Sequence, residues 1–339
     1  MKRITKLLLV INGNMNNYLY FQEDGHKYTD SYGNEYISVT TIIGNYAPKF
    51  DKNYWLHKKA RELGISEKEL SKRWQDITNE ACTRGSATHN GLEDGIKGNS
   101  MFKDAIQYLN QVDTGRCITV ADIPNLKAHP LDIEGFKKAT NYKYQKIYDV
   151  FDYYINHGYT IYSEIGVFLP DILISGTIDV LAIKPEQFVI LDWKTNKDGL
   201  HFTSGYYKKD KTCKPVQLTN QWVEKQEFML PPFNTLPECN GSHYTIQLST
   251  YARMVELILG IPCVGCGLCH IGTPFKLNKY GMPYRDEKGL YEIDKNGEET
   301  VNWYHINYIR DMVDAMFKDR RIYLNSKGLL NRQTKLIFD

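Results

Sequence analysis

Two apolar runs joined by a short proline-bearing turn constrain this chain more than any other feature. The segment GTIDVLAIKPEQFVILDWKTN, residues 176–196, places Lys184-Pro185-Glu186-Gln187 between the two runs. Apolar runs of this length, rich in β-branched residues and bounded by turn residues, are typical of buried strands joined as a hairpin. We therefore expect a β-sheet with this hairpin at its centre.

The hairpin is expected to bring two carboxylates together. With the four turn residues as the loop, Ile183 pairs with Phe188. Counting outward in equal steps, Asp179 then pairs with Asp192. Directly opposed side chains lie about 4.5–5.5 Å apart, where two carboxylates repel each other. A divalent cation would turn this repulsion into attraction, and Mg²⁺ takes oxygen ligands from carboxylates.

The second run ends in an acid, a tryptophan and a lysine. Because side chains alternate along a strand, Asp192 and Lys194 share one face and Trp193 lies on the other. A lysine there can orient or deprotonate a water, or stabilise charge on a phosphate. The alternative is a surface hairpin with a modest ion pair. The matching Asp179 on the preceding strand favours a metal site.

Composition limits the class of protein and its partners. At 339 residues, with 42% hydrophobic and 24% charged residues, the chain resembles an ordinary globular protein of one elaborated domain or two smaller ones. Its formal net charge is only +2, so any phosphate binding must come from a local groove.

The N-terminus and the cysteines favour a cytoplasmic protein with no membrane span. The apolar run Leu7–Ile11 is too short for a signal peptide or a membrane helix, and it predicts a short strand. The seven cysteines are an odd number in a chain too large to need disulfides, so reduced thiols are expected.

Periodicity predicts the order of the remaining elements. A strand, a turn and a second strand or helix start are expected over Tyr28–Ile43, and β-rich structure is expected over Tyr159–Asn196. Helices are expected over Lys52–Gly64, Glu67–Gly95, Leu131–His157, Tyr244–Leu259 and Asn302–Lys318. The inward candidates of the first two helices are Trp55, Leu63, Leu70, Trp74 and Ile77. A strand is predicted over Val264–Ile271, and a surface hairpin over 279–299.

Three motifs together resemble one nuclease family. Gly176-Thr177-Ile178-Asp179 followed by Asp192-Trp193-Lys194 resembles the core of the PD-(D/E)XK nuclease superfamily. Arg84–Glu93, RGSATHNGLE, is similar to the Gly-x-x-x-His helix of its RecB-like branch, and Gln247–Tyr251, QLSTY, to its Gln-x-x-x-Tyr helix. The motifs occur in the family's order and span about half the chain.

The resemblance implies roles for particular residues. It implies metal ligation by His89, Asp179 and Asp192, with Lys194 as the catalytic lysine. In this family the backbone carbonyl between the acid and the lysine commonly completes the ligand set, and the resemblance implies this role for the carbonyl of Trp193.

Three further positions have weaker assignments. Glu164, in YSEIGVF, is a further candidate metal ligand. The resemblance implies that Gln247 lies near Lys194 or a scissile phosphate, and Tyr251 against the nucleic-acid backbone. Simple core packing of this helix is the alternative.

The resemblance also implies a fold and an activity. The fold is expected to be α/β, a central mixed β-sheet flanked by helices, with a restriction-endonuclease-like core. A single nuclease domain, 1–339, would hold core motifs at 84–251, an insertion at 197–243 and a C-terminal strand and helix extension at 260–339.

The implied activity is that of a Mg²⁺- or Mn²⁺-dependent DNA exonuclease acting in recombination, repair or phage genome processing. RNA stays open as a substrate. The alternative is a non-cleaving DNA-binding or assembly subunit on the same fold. The sequence departs from the family pattern in placing Ile178 before the first acid, in using Asp192 where glutamate is common, and in the long insertion.

Two other segments suggest binding. Cys263, Cys266 and Cys269 have iron–sulfur spacing, with Cys82 as a candidate fourth ligand. On a strand Cys266 and Cys269 point to opposite sides, which disfavours a cluster. In the insertion, tyrosines and lysines suit base stacking and phosphate contact with DNA, although a solvated loop is the simpler interpretation. These residues are Tyr206, Tyr207, Lys208, Lys209 and Lys211.

Overall fold

The chain folds around one mixed β-sheet. A computed structural model describes residues 17–22, 25, 27–100, 115–126 and 130–330, so the strand predicted over Leu7–Ile11 lies outside the described residues. Within these ranges eight strands form the central sheet and two form a separate hairpin. The predicted α/β class, with a central mixed sheet flanked by helices, is confirmed.

The strands and the helices of the described chain are numbered separately, each in chain order. The strands are β1 Leu19–Gln22, β2 Lys27–Asp30, β3 Glu35–Ser38, β4 Thr160–Leu169, β5 Ile174–Lys184, β6 Gln187–Lys194, β7 Gly205–Asp210, β8 Gln217–Glu224, β9 Cys263–Gly272 and β10 Thr300–Ile306. The helices are α1 Val39–Gly44, α2 Lys52–Leu63, α3 Glu67–Gly98, α4 Ile133–Ala139, α5 Gln145–Asn156, α6 Asn240–Leu259 and α7 Arg310–Ser326.

The core hairpin has the predicted register and a tighter turn than predicted. Ile183 pairs with Phe188, as expected from the two apolar runs. Lys184 also pairs with Gln187, so the loop is Pro185-Glu186 and the predicted four-residue turn is wrong. The paired residues end at Val180 and Leu191, one step before the two aspartates.

The sheet branches at β5. Strand β4 pairs along one edge of β5 from Ile174 to Ile183. Because a strand has only two edges, β3 and β6 must share the other: β3 pairs in parallel up to Ser175, and β6 pairs antiparallel from Val180. Residues 176–179 therefore lie between the ends of two neighbouring strands, where the sheet edge is open.

Helices cover both faces of the sheet, and the alternation of side chains along β6 divides the core between them. Ile190 packs with Leu248 of α6 in one hydrophobic cluster. Leu191 and Trp193 pack with Phe151 of α5 in the other. This two-sided burial explains why β6 reads as a nearly continuous apolar run.

Two helix predictions need correction. The segment Leu131–His157 forms two helices, α4 and α5, because Asn141 and Tyr142 between them adopt left-handed φ angles of 54° and 55°. The start of the segment Asn302–Lys318 is strand β10, which pairs antiparallel with β9 and buries Val301. Pairing at the sheet edge overrides the helical spacing of these residues.

The inward candidates of α2 and α3 divide between buried and exposed positions. Leu70 is buried, and Trp74 and Ile77 are half-buried, as expected. The prediction that Trp55 and Leu63 face inward is wrong, because their side chains on α2 are 37% and 57% exposed. The spacing of α2 is helical, but the helix fully buries only Ala60, and Tyr54, Trp55 and Leu63 are exposed.

The C-terminal half follows the predicted order. Helix α6 ends at Gly260, whose φ of 71° is the left-handed conformation that glycine adopts readily. Where one surface hairpin is predicted over 279–299, three isolated strand pairs close two successive turns between 275 and 293: Phe275 with Ile293, Leu277 with Pro283 and Arg285 with Tyr291. The insertion contributes the β7–β8 hairpin. None of the helices in the described ranges has both the length and the apolar character needed to cross a bilayer.

Candidate metal centre

Three carboxylates lie side by side at the branch of the sheet. Pairing of β4 with β5 on both sides of Glu164 places it opposite Asp179, and Asp192 of β6 is the next residue across. Glu164 has a φ of 50°, a left-handed conformation that costs a non-glycine residue roughly 1 kcal/mol. Such backbone strain concentrates at functional sites.

Helix α3 supplies the histidine. His89 Nδ1 lies 3.6 Å from Asp179 Oδ2. One ligand atom each from His89, Glu164 and Asp179 all lie within 4.8 Å of one another. The helix comes close to the sheet at Gly85, where an added Cβ would lie 2.9 Å from Thr195 Oγ1. The Gly-x-x-x-His spacing thus brings the imidazole to the end of the hairpin.

The predicted lysine is held by the second aspartate. Lys194 forms an ion pair with Asp192, whose residue exposure is 1%. Burial alone would lower the pKa of Lys194, but Asp192 and Asp179 outweigh it and raise the pKa. Lys194 is therefore a cation at neutral pH, which suits it to stabilising negative charge rather than to removing a proton.

Asp179 connects the site to the backbone of β6. Its Oδ2 accepts a hydrogen bond from the Trp193 backbone N–H at 2.9 Å, and its carboxyl group interacts with that of Asp192. The backbone of Trp193 also faces the imidazole of His89. The position predicted to provide a backbone carbonyl is therefore next to both predicted ligands.

The clustered acids are poorly compensated. Burial, followed by the charges of Asp179 and Glu93, raises the pKa of Glu164 to about 8. Burial and Asp179 raise the pKa of Asp192 to about 6. Burial also raises the pKa of Asp179. Like charges held together in a buried site disfavour ionisation, and a divalent cation would reverse this effect.

The donor set fits a hard divalent cation. Carboxylate oxygens with one imidazole suit Mg²⁺ or Mn²⁺. The structure brings Glu164, which the sequence offered only as a further candidate ligand, into the same group as His89 and Asp179. Asp192 lies beside this group and is engaged by Lys194.

Tyr251 of α6 is buried, which conflicts with its implied position against the nucleic-acid backbone. Gln247 hydrogen-bonds with Tyr251, which is only 4% exposed. The Tyr251 ring packs against Gly176, where an added Cβ would lie 2.7 Å from its Cε1. The glycine that opens the first motif therefore allows α6 to approach β5, and Tyr251 is enclosed by protein.

Tyr244 is the site residue that sequence reasoning missed. Lys194 Nζ lies 4.5 Å from the centroid of the Tyr244 ring. The available signal was helical spacing, because Tyr244, Gln247 and Tyr251 are i, i+3 and i+7 on one face of α6.

The chain after Lys194 is fixed at Asn196. The Tyr244 hydroxyl donates to Asn196 Oδ1 at 3.0 Å, and His270 Nε2 lies 2.8 Å from the Asn196 backbone carbonyl oxygen. Both the side chain and the backbone of this residue are therefore bound to neighbouring elements, so the end of β6 has a defined path.

The tyrosines and lysines of the insertion lie on and beside β7. Tyr206 is 50% exposed, and Lys208, Lys209 and Lys211 are exposed. Tyr207 instead packs against the hairpin, with its ring centroid 4.9 Å from that of Trp222. Four of the five predicted contact residues are thus accessible to a ligand.

The cysteines of β9 divide between the two faces of the sheet. Cys266 and Cys269 belong to opposite hydrophobic clusters, as predicted. A register shift at Val264 places the sulfur of Cys263 3.7 Å from that of Cys266, a proximity that regular alternation does not predict. Cys82 is exposed on α3.

Comparisons with known proteins leave the geometry as the basis for assigning a function. Protein-family models, curated proteins and solved structures show no match to this chain.

Proposed function

We propose that this protein is a divalent-metal-dependent nuclease that hydrolyses phosphodiester bonds in DNA and has a restriction-endonuclease-like core. The observation that carries the proposal is the convergence of His89, Glu164 and Asp179 beside the Asp192–Lys194 pair. His89, Asp179, Asp192 and Lys194 belong to the motifs that resemble the RecB-like nucleases, and Glu164 is the further candidate ligand on β4.

Each residue has a distinct part in this proposal. His89, Glu164, Asp179 and Asp192 would hold Mg²⁺ or Mn²⁺, which supplies an activated water and polarises the phosphate. Lys194 is protonated and stabilises the negative charge that develops on the phosphate. Tyr244 positions Lys194 through its ring.

The unfavourable burial of several carboxylates and the strained backbone of Glu164 support catalysis rather than binding alone. A surface that only binds DNA gains nothing from buried carboxylates, because they repel phosphates. A protein that keeps acids with raised pKa values at a strained backbone position has a use for a cation there. Exonucleolytic action in recombination, repair or phage genome processing belongs to the proposal through the resemblance alone, and a cytoplasmic location through the short N-terminal apolar run and the odd number of cysteines.

The test is cleavage of end-labelled linear DNA by the purified protein in Mg²⁺, with EDTA and the Asp179→Asn variant as controls. We expect metal-dependent loss of label by the wild-type protein and none by the variant. A parallel labelled RNA separates the two nucleic acids. DNA binding without cleavage in either Mg²⁺ or Mn²⁺ would contradict the proposal and favour a non-cleaving subunit.

A further inference from the structure

Three cations converge on one pair of aromatic rings outside the candidate metal centre. The Phe275 and Tyr291 ring centroids lie 5.2 Å apart. The Arg84 guanidinium carbon lies 5.2 Å from the Phe275 centroid. Lys197 Nζ and the Arg285 guanidinium carbon lie 4.9 Å and 5.0 Å from the Tyr291 centroid. We call these five residues the cationic cluster.

The cationic cluster and the candidate metal centre share two segments of the chain. Arg84 precedes Gly85 in α3, five residues before His89. Lys197 follows Lys194 by three residues, just beyond the anchored Asn196. Arg285 comes from the surface hairpin, where it pairs with Tyr291. Two segments, α3 and the chain that leaves β6, thus carry residues of both the cationic cluster and the candidate metal centre.

The charges of the cationic cluster are only partly balanced within the protein. Arg84 forms an ion pair with Glu80 at 2.9 Å. Arg285 Nε donates to the Tyr291 hydroxyl at 2.9 Å, and that hydroxyl donates to Asp198 at 2.8 Å. Two carboxylates thus face three cations.

Repulsion among the three cations contributes to the lowered pKa of Lys197. Burial lowers the pKa of Lys197, and the positive charges of Arg285 and Arg84 lower it further, against the opposing effects of Asp198 and Glu80. Cations held together at this separation attract an anion. Arginine in particular matches the geometry of phosphate oxygens with paired N–H donors.

Positive charge continues from the cluster toward α2. Burial lowers the pKa of Lys209, and the charges of Arg285, Lys59 of α2 and Lys211 of the insertion lower it further against the opposing carboxylate of Glu62. A row of cations on several elements fits a polyanion better than a single small anion. Trp55, beside Lys58 and Lys59 on α2, offers an exposed aromatic surface along the same row.

We propose that the cationic cluster binds the phosphate backbone of a nucleic-acid strand as the strand enters the metal centre. The inference rests on the proposed nuclease function and names the residues that hold its substrate. The aromatic pair fixes the positions of the three cations, and Lys197 and Arg285 make the phosphate contacts.

The test is binding of a fluorescein-labelled single-stranded DNA oligonucleotide, followed by fluorescence anisotropy in EDTA at several salt concentrations, so that no cleavage intervenes. Lys197→Gln and Arg285→Gln are each expected to weaken binding several-fold and to reduce the slope of log affinity against log salt by about 0.7. Lys197→Arg, which keeps the charge, should restore most of the affinity.

Two matched controls separate this effect from general loss of charge. Lys184 also lies over a tyrosine ring, 4.8 Å from the Tyr159 centroid, at the other end of the hairpin. Arg320 lies 5.5 Å from the Tyr323 centroid on α7. Lys184→Gln and Arg320→Gln should leave affinity and salt slope unchanged.

The outcomes separate this inference from the proposed function. Weaker binding by the cluster variants supports the cluster even if the wild-type protein fails to cleave, a result that would count only against the nuclease proposal. Cleavage by the wild-type protein combined with unchanged affinity and slope in both variants would overturn the cluster alone. A wild-type protein without measurable affinity for the oligonucleotide would also overturn it.

Discussion

The two ends of the β5–β6 hairpin differ in what they contribute, although they belong to the same two strands. At the turn end, Ile183 pairs with Phe188, and both are buried. At the other end Asp179, Asp192 and Lys194 bring charges into a buried site. The apolar residues at the turn end therefore stabilise the fold, whereas the buried charges at the open end destabilise it.

The magnitudes show why both ends are needed. Burying a side chain such as Phe188 or Ile190 stabilises the fold by about 1.5–3 kcal/mol. Removing a charged group from water costs several kcal/mol unless it is paired. Apolar residues beside the turn thus offset the unfavourable burial of Asp179 and Asp192. The free energy that holds the candidate site together comes largely from residues that do not line it.

The first prediction separates the two ends by activity. We expect Asp179→Asn, Asp192→Asn and Lys194→Ala each to lower DNA cleavage about 10³-fold or more, because each removes a metal ligand or the cation beside it. In Asp179→Asn the side-chain oxygen can still accept the hydrogen bond from the Trp193 backbone N–H, so the fold should persist. Lys184→Gln, at the turn end, should cleave normally. Comparable activity in any of the three would refute the assignment of that residue.

The second prediction compares a glycine near each end by stability. Gly176→Ala should lower the free energy of unfolding by about 2 kcal/mol, since the new Cβ would lie 2.7 Å from Tyr251 Cε1 and force the ring to move. Gly265→Ala is the matched control, because its Cβ would lie 3.6 Å from the Val189 side chain, an ordinary contact. Equal unfolding midpoints in urea for these two variants would show that the close approach of α6 is not required.

The third prediction uses pH to measure the cost of burying the Glu164 carboxylate beside other acids at the open end. Folding raises the pKa of Glu164 from 4.5 to about 8, so the folded protein binds the proton more tightly than the unfolded chain does. Metal-free stability from this residue is therefore present at low pH and lost as the pH rises toward about 8. Glu164→Gln removes this loss.

Urea denaturation in EDTA measures the effect. We expect Glu164→Gln to be more stable than wild type by several kcal/mol above about pH 8, and nearly equal to it near about pH 4.5. A variant that is less stable than wild type at the higher pH would mean that the Glu164 carboxylate stabilises the metal-free fold.

The fourth and smallest effect concerns the anchor beyond the open end. Tyr244→Phe keeps the ring against Lys194 but removes the hydrogen bond to Asn196, and should cost about 1 kcal/mol of stability. Tyr142→Phe, at a side chain that is 63% exposed, should have little effect. An unfolding free energy equal to that of wild type in Tyr244→Phe would show that His270 alone anchors Asn196.

The hairpin could be predicted because its pattern is local. Its register follows from two apolar runs and a turn, and the error of the four-residue loop left the pairing unchanged. The strand β10 could not be predicted, because its conformation depends on pairing with β9. In the same way, the left-handed Asn141 and Tyr142 interrupt a helical pattern that spacing alone extends.

The residues of the candidate site also divide into those that a local sequence pattern predicts and those that only long-range pairing brings together. Asp192 and Lys194 are two residues apart on one strand, and alternation alone places them together. Glu164 lies opposite Asp179 only through the pairing of β4 with β5. Arg84, Lys197 and Arg285 come from three distant parts of the chain, and no short-range pattern connects them.

The anchored segment from Lys194 to Lys197 also sets a length. Three residues extend at most about 10 Å between Cα atoms, and successive phosphates of one strand in duplex DNA advance about 3.4 Å along the axis. Asn196, held by Tyr244 and His270, keeps this span from changing. A strand bound at both lysines would therefore have its contacted phosphate near the bond at Lys194, within a reach set by this fixed span and the two lysine side chains. The hairpin end would thus determine where along a strand the chemistry occurs.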